Sequence, residues 1–119
     1  MYGGDFLIIT TRIKNATLIV KMTGELDHHS AGPIRETVDR IIMSGGVKNI
    51  LFDMSSLSMM DSSGIGMVIG RYKLISADGG KVSIFAKTKT ILKILKMSGI
   101  ERIAPVYDAI EKAEEYLDA

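Results

Sequence analysis

Apolar positions change period along this chain, and the changes mark out its elements. Residues 6–14 are apolar, then alternating, and rich in β-branched side chains; residues 16–23 repeat that character. Asn15 between them is a turn residue, so the pair predicts a β-hairpin whose second strand ends at Gly24. Asp27, His28, His29 and Ser30 then introduce a helix, with Pro33 in its first turn, where a missing N–H costs little. Ile34, Val38, Ile41 and Ile42 recur at helical spacing, and Ser44, Gly45 and Gly46 end the helix. Residues 49–54 are nearly continuously apolar, which predicts a third strand buried on both faces. A second helix over residues 62–76 carries the stripe Ile65, Val68, Ile69, Tyr72 and Ile75, and stops at Asp78, Gly79 and Gly80. Residues 81–87 read as the fourth strand. Thr88, Lys89 and Thr90 open a helix through Ile91, Leu92, Ile94, Leu95 and Met97, which Ser98 and Gly99 close. Residues 103–106 predict a short edge strand, because Pro105 does not suit a sheet centre. A last helix starts at Tyr107 and Asp108, with Ala109, Ile110, Ala113 and Leu117 on its apolar face. Strands alternating with helices after an initial hairpin predict an α/β domain with a mixed sheet and right-handed crossovers.

Composition narrows the function classes. A chain of 119 residues, 46% hydrophobic and 24% charged, predicts one domain over residues 1–119 with an adequate core. The absence of cysteine excludes disulfides and thiolate chemistry and fits a reducing, cytoplasmic setting. Fifteen basic against fourteen acidic residues give a net charge of +1, which carries no electrostatic footprint for nucleic acid or anionic membrane. No apolar run approaches the roughly 18 residues of a membrane span, and the N-terminus lacks the pattern of a signal peptide.

Candidate chemistry concentrates in the segment from Met59 to Gly66, where Asp61, Ser62, Ser63, Gly64 and Gly66 lie between a buried strand and a helix start. The first N–H groups of a helix lack intrahelical partners, and its dipole favours negative charge there. A serine in that place either caps the helix or carries a phosphate. A hydrolytic role for Ser62 is poorly supported: no G-x-S-x-G elbow or Walker A loop is present, and both histidines lie on another segment. Gly64, Gly66 and Gly70 each cost about 1 kcal/mol in a helix relative to alanine. Gly64 is read as room for the close approach of another protein, and Gly70 as internal packing. Met67 and Leu74 fall opposite the core stripe and hint at a docking face. Asp27, His28 and His29 lack a third histidine or any cysteine to complete a zinc site, so Asp27 is read as a turn or capping residue. Adjacent histidines on a strand or helix are expected to point apart. If both loops share one end of the sheet, Glu25 and Asp27 bring acidic charge near the serines. No cofactor and no metal are expected.

The segments Gly24-Glu25-Leu26-Asp27-His28-His29, Met60-Asp61-Ser62-Ser63-Gly64-Ile65-Gly66, Gly70-Arg71-Tyr72-Lys73 and Met97-Ser98-Gly99 together resemble the anti-sigma factor antagonists, most closely their sporulation sigma-F branch. The likeness runs over nearly the whole chain. It implies the STAS fold, a mixed sheet with an initial hairpin and about four helices packed mainly on one side. It implies a bacterial, cytoplasmic, non-enzymatic partner switch. In that family the serine directly after the aspartate of D-S-S-G is phosphorylated, which corresponds to Ser62; Ser63 is its unmodified neighbour. The implied partners are a dimeric, ATP-dependent anti-sigma factor serine kinase and a PP2C-type phosphatase, with Asp27, Asp61, Ser62, Ser63, Gly64, Gly66 and Met67 at the partner surface. Two other readings remain at this point: a nucleotide-binding or scaffold STAS module, and a small enzyme dependent on Ser62.

Overall fold

The computed structural model describes residues 7–119. Phe6, assigned above to the first strand, and residues 1–5 lie outside the described residues. Strands β1 (Leu7–Lys14) and β2 (Thr17–Leu26) form the expected hairpin, paired from Leu7 opposite Gly24 to Lys14 opposite Thr17. The turn is Asn15-Ala16, with φ of 52° and 64°. Two positive φ values give the turn the twist that matches antiparallel strands. Ala16 is therefore a turn residue and not the start of the strand, and its Cβ is strained there.

Three strand–helix–strand units follow. Helix α1 (Ala31–Met43) leads to β3 (Asn49–Met60), α2 (Ser62–Ala77) to β4 (Val82–Phe85), and α3 (Lys89–Ser98) to β5 (Val106–Tyr107); α4 (Ile110–Asp118) ends the chain. The sheet order is β1-β2-β3-β4-β5, antiparallel in the hairpin and parallel thereafter. Two strands run past their expected ends. β2 continues through Gly24 to Leu26, and β3 extends beyond residue 54 to Met60. β4 pairs only with Ile50 to Asp53, so the second half of β3 is paired on the β2 side alone. That half tolerates Ser55, Ser56 and Ser58, and irregular register between Lys21 and Thr23 and again at Gly24 and Glu25 accommodates it. β5 is later and shorter than expected. Pro105 precedes it, and the Pro105 carbonyl accepts from the Ile84 N–H at 2.9 Å.

Alternation along β2 and β3 divides the core. Leu18, Val20 and Met22 with Ile50, Phe52 and Met54 face α1, α2 and α3, burying Ile34, Val38, Val68, Ile75, Ile91 and Leu95. Ile19 and Leu51 face the other way against Ala113 and Leu117 of α4. Helices thus cover both faces of β3, as its continuous apolar run predicts, with three helices on one side and one on the other. Full burial of a leucine or phenylalanine contributes about 1.5–3 kcal/mol. No helix among the described residues is long and apolar enough to cross a membrane.

Candidate partner-binding site

The overhanging end of β3 places the site. Leu26 and Met60 are register partners at the ends of β2 and β3, and the Asp61 N–H donates to the Leu26 carbonyl at 3.1 Å. The two connections into α1 and α2 therefore leave the sheet side by side, which brings Asp27 and Asp61 to the same end of the molecule.

Asp61 settles which residue caps α2. Its backbone is extended, and its carboxylate accepts from the Ser63 N–H at 2.8 Å. Its carbonyl accepts from the Gly64 N–H at 3.1 Å. Ser62 is consequently the first helical residue, and it is exposed, while Ser63 is half-buried. No acidic residue stands in the first turn of α2 and no basic one in its last. The positive end of the helix dipole is offset only by the capping aspartate.

Asp27 organises the neighbouring turn. Its carboxylate accepts from the N–H groups of His29 at 2.9 Å and Ser30 at 3.0 Å, and its Oδ1 lies 3.2 Å from the Ser30 hydroxyl oxygen. The Ser30 hydroxyl lies 2.9 Å from the Asp27 N–H, which donates to it, and 2.9 Å from the Glu25 carbonyl, to which it donates. The Ser30 N–H above all, with His29 and the Ser30 hydroxyl, holds the Asp27 carboxyl below its ordinary value against a smaller opposing effect of desolvation. This is the turn role expected for Asp27. His28 and His29 do not point apart: they occupy a turn, and their rings meet edge-on with centroids 4.5 Å apart.

Three readings of α2 need correction. Gly64 is buried, and a Cβ there would come 2.7 Å from Met60 Cγ and 2.9 Å from Leu26 Cδ2. The close approach is by the protein's own strand ends. At Gly66 and Gly70 a Cβ would meet nothing within 4 Å, so Gly70 is not a packing glycine. Met67 is buried, at 5% exposure, because α1 packs along the flank of α2 and widens its apolar arc beyond one stripe. Leu74 is exposed.

Sequence reasoning missed Arg71 as a site residue. It is 7% exposed, its Nε lies 2.8 Å from Asp39 Oδ1 on α1, and its Nη1 donates to the Met67 carbonyl at 3.2 Å. The ion pair is close, but the Nε–H is not aligned for a hydrogen bond to the carboxylate. Burial, opposed by Asp39, lowers the Arg71 guanidinium from its ordinary value, and nearby Arg35 adds to the lowering. An arginine one helical turn after Met67 is visible in the sequence; its burial and its partner on another helix are not. Between α1 and α2 runs a groove of about 590 Å³. His28, Gly32 and Arg35 line one wall, and Ser63, Gly66, Gly70 and Arg71 the other.

Comparison with known proteins agrees with this architecture. Residues 8–113 match the model of the STAS domain family. The chain is 40% identical over 91 residues to an anti-sigma F factor antagonist of Paenibacillus polymyxa, covering 76% of this chain and 78% of the relative. The solved structure of the anti-sigma factor antagonist SpoIIAA in its unphosphorylated form superposes with a TM-score of 0.80 at 27% identity, over 94% of this chain and 98% of that one. The phosphorylated form of the Bacillus cell fate determinant SpoIIAA gives 0.71 at 28% identity, over 92% and 99%. With the hairpin, the parallel units and the paired strand ends all in place, the chain belongs to the STAS-domain family of anti-sigma factor antagonists.

Proposed function

We propose that this protein is a phosphorylation-controlled antagonist of an anti-sigma factor, acting in sporulation, with Ser62 as the modified residue. The observation that carries the reading is the division of roles at the α2 start: Asp61 caps the helix, which leaves the Ser62 hydroxyl exposed beside the Asp27 turn. The unmodified protein binds a dimeric anti-sigma factor that is also an ATP-dependent serine kinase, and so releases a sporulation sigma factor. The kinase transfers the γ-phosphoryl group of ATP to the Ser62 oxygen, and a PP2C-type phosphatase removes it. Asp27, Ser62, Ser63 and Gly66 offer the contact surface. Asp61 fixes the serine, while Gly64 and Met67 act from beneath by setting the position of α2. The setting is cytoplasmic, and the protein regulates and does not catalyse.

Phosphorylation adds a charge of roughly −1.5 to −2 at the helix start. The dipole of α2 accommodates it in the free domain. In a complex the phosphate loses water and meets Asp61 and Asp27 as like charges. About 3 kcal/mol of lost binding weakens a complex roughly a hundredfold. The switch is thus electrostatic and steric blocking of an interface, without refolding. The chain shares its fold with the SpoIIAA structures of the unphosphorylated and phosphorylated forms, at TM-scores of 0.80 and 0.71.

The test is incubation with candidate anti-sigma kinases and ATP, followed by phosphosite mapping by mass spectrometry. Phosphate is expected on Ser62. Ser62→Ala is expected to bind and resist release, and Ser62→Asp to bind weakly. Phosphate on Ser63 alone, or equal binding by the two variants, would refute the assignment.

A further inference from the structure

The groove between α1 and α2 starts beside Ser63 but is not explained by a phosphate on Ser62. Gly32 on α1 and Gly66 and Gly70 on α2 border it, and a Cβ at any of the three would meet nothing within 4 Å. Internal packing therefore demands none of these glycines, in contrast to Gly64. What Gly66 and Gly70 provide is open depth along the side of a helix.

The groove also has a charge. Arg71 lies in its wall, 93% buried by its 7% exposure, and only its Nη1 has a hydrogen-bond acceptor, the Met67 carbonyl. A guanidinium has five N–H donors; here Nε lies against Asp39 Oδ1 at 2.8 Å and Nη1 donates to the Met67 carbonyl, which leaves the other Nη N–H groups without an acceptor among the described residues. Arg35 lines the opposite wall, is exposed, and has no carboxylate within 4 Å among the described residues. Among the described residues Asp39 is the one carboxylate paired with either arginine, and it pairs with Arg71 alone. A planar, bidentate carboxylate is the ligand that a guanidinium fork fits.

We propose that the groove receives an aspartate or glutamate side chain of the anti-sigma factor, which lies against Gly66 and Gly70 and pairs with Arg35 and Arg71. The inference rests on the reading of the protein as an anti-sigma factor antagonist and adds a second anchor to the surface around Ser62. The partner is the favoured occupant because the groove is continuous with that surface through Ser63 and His28 and carries two guanidiniums that match an acidic side chain.

The experiment measures binding of the purified cognate anti-sigma factor by titration calorimetry, at two salt concentrations, for wild type, Gly70→Leu, Gly66→Leu and Arg35→Glu. None of these changes touches the core, and melting temperatures establish that each variant folds. Each is expected to weaken binding about tenfold or more, and Arg35→Glu also to flatten the salt dependence. Among partner Asp and Glu positions, one changed to Arg is expected to restore binding to Arg35→Glu. Wild-type affinity in all three variants would overturn the inference while leaving the role of Ser62 intact. Loss of binding with no responsive partner carboxylate would overturn the acidic anchor. Inorganic phosphate perturbing Arg35 and Arg71 while the variants still bind the partner normally would make this a small-anion site instead. Failure of the wild type to bind any anti-sigma factor would bring down the functional reading and this inference with it.

Discussion

Replacing Gly64 with alanine tests how the site is supported from below. The added methyl would stand 2.7 Å from Met60 Cγ and 2.9 Å from both Leu26 Cγ and Leu26 Cδ2, all well inside van der Waals contact. Leu26 is fully buried and Met60 is 3% exposed, so neither has free space to retreat into. Overpacking of this kind costs about 1–3 kcal/mol. Alanine regains up to about 1 kcal/mol of helix propensity, less near a helix end. The net expectation is a loss of roughly 0.5–2 kcal/mol, or a fall in melting temperature of roughly 2–8 °C at about 4 °C per kcal/mol. Gly70→Ala is the control without the clash, since it gains the full mid-helix propensity and meets nothing within 4 Å. It should stabilise by up to about 1 kcal/mol. Urea unfolding followed by circular dichroism, with equal slopes for the three proteins, measures both. If Gly64→Ala proved as stable as Gly70→Ala, the close helix–strand approach would be wrong. Leu26 and Met60 directly precede Asp27 and Asp61, so the same substitution should also weaken partner binding, through displacement of the two loops.

Ala16→Gly should raise stability by up to about 1 kcal/mol, read as a higher urea midpoint, because it relieves a Cβ at φ 64°; a lower midpoint would contradict the turn geometry. Asp39→Ala should cost about 1–3 kcal/mol by leaving Arg71 buried without its carboxylate, a figure reduced from that of a fully buried pair because the Asp39 side chain is 32% exposed; Arg71→Met in the same background should recover part of it. The Asp27 carboxyl is held below its usual 3.8, first by the Ser30 N–H. Its contribution is therefore present above that value and disappears as pH falls through the lower folded value. Asp27→Asn should lower stability at neutral pH and flatten the acid limb of the stability–pH curve, which thermal melts across acidic pH will show.

Much of this architecture is legible in the sequence because β2, β3 and α1 each carry one strong period. The alternation Leu18, Val20, Met22 against Ile19 and the unbroken run of residues 49–54 specify which faces are buried. The rest depends on neighbours. Residues 55–60 contain three serines and lie beyond the apolar run that predicts the strand, yet they form strand because β2 continues beside them. Met67 sits opposite a one-face stripe, yet it is buried because a second helix lies along α2. Gly64 and Gly70 are the same residue in the same helix, and only the strand ends beneath Gly64 distinguish them. The pairing of Arg71 with Asp39 joins positions 32 apart on two helices, which no local pattern encodes.

The cap on α2 bears on why a phosphate would act at an interface and not on the fold. In the free domain, a negative group at a helix start gains about 0.3–1 kcal/mol from the dipole. Two unit charges 4 Å apart in water repel by about 1 kcal/mol. On the proposed reading, attraction by the dipole and repulsion by the Asp61 carboxylate largely offset each other while solvent surrounds Ser62, both growing with the phosphate's charge of roughly −1.5 to −2. Exclusion of water by a partner removes that balance: the same pair at an effective dielectric of about 20 repels by about 4 kcal/mol. The dipole cannot offset this, because Asp61 already engages the Ser63 N–H. Phosphorylation should therefore shift the urea midpoint of the free protein by the equivalent of no more than about 1 kcal/mol, while weakening the complex at least a hundredfold. A phosphoprotein that is destabilised as strongly as its complex would place the switch in the fold, and would refute an interface mechanism.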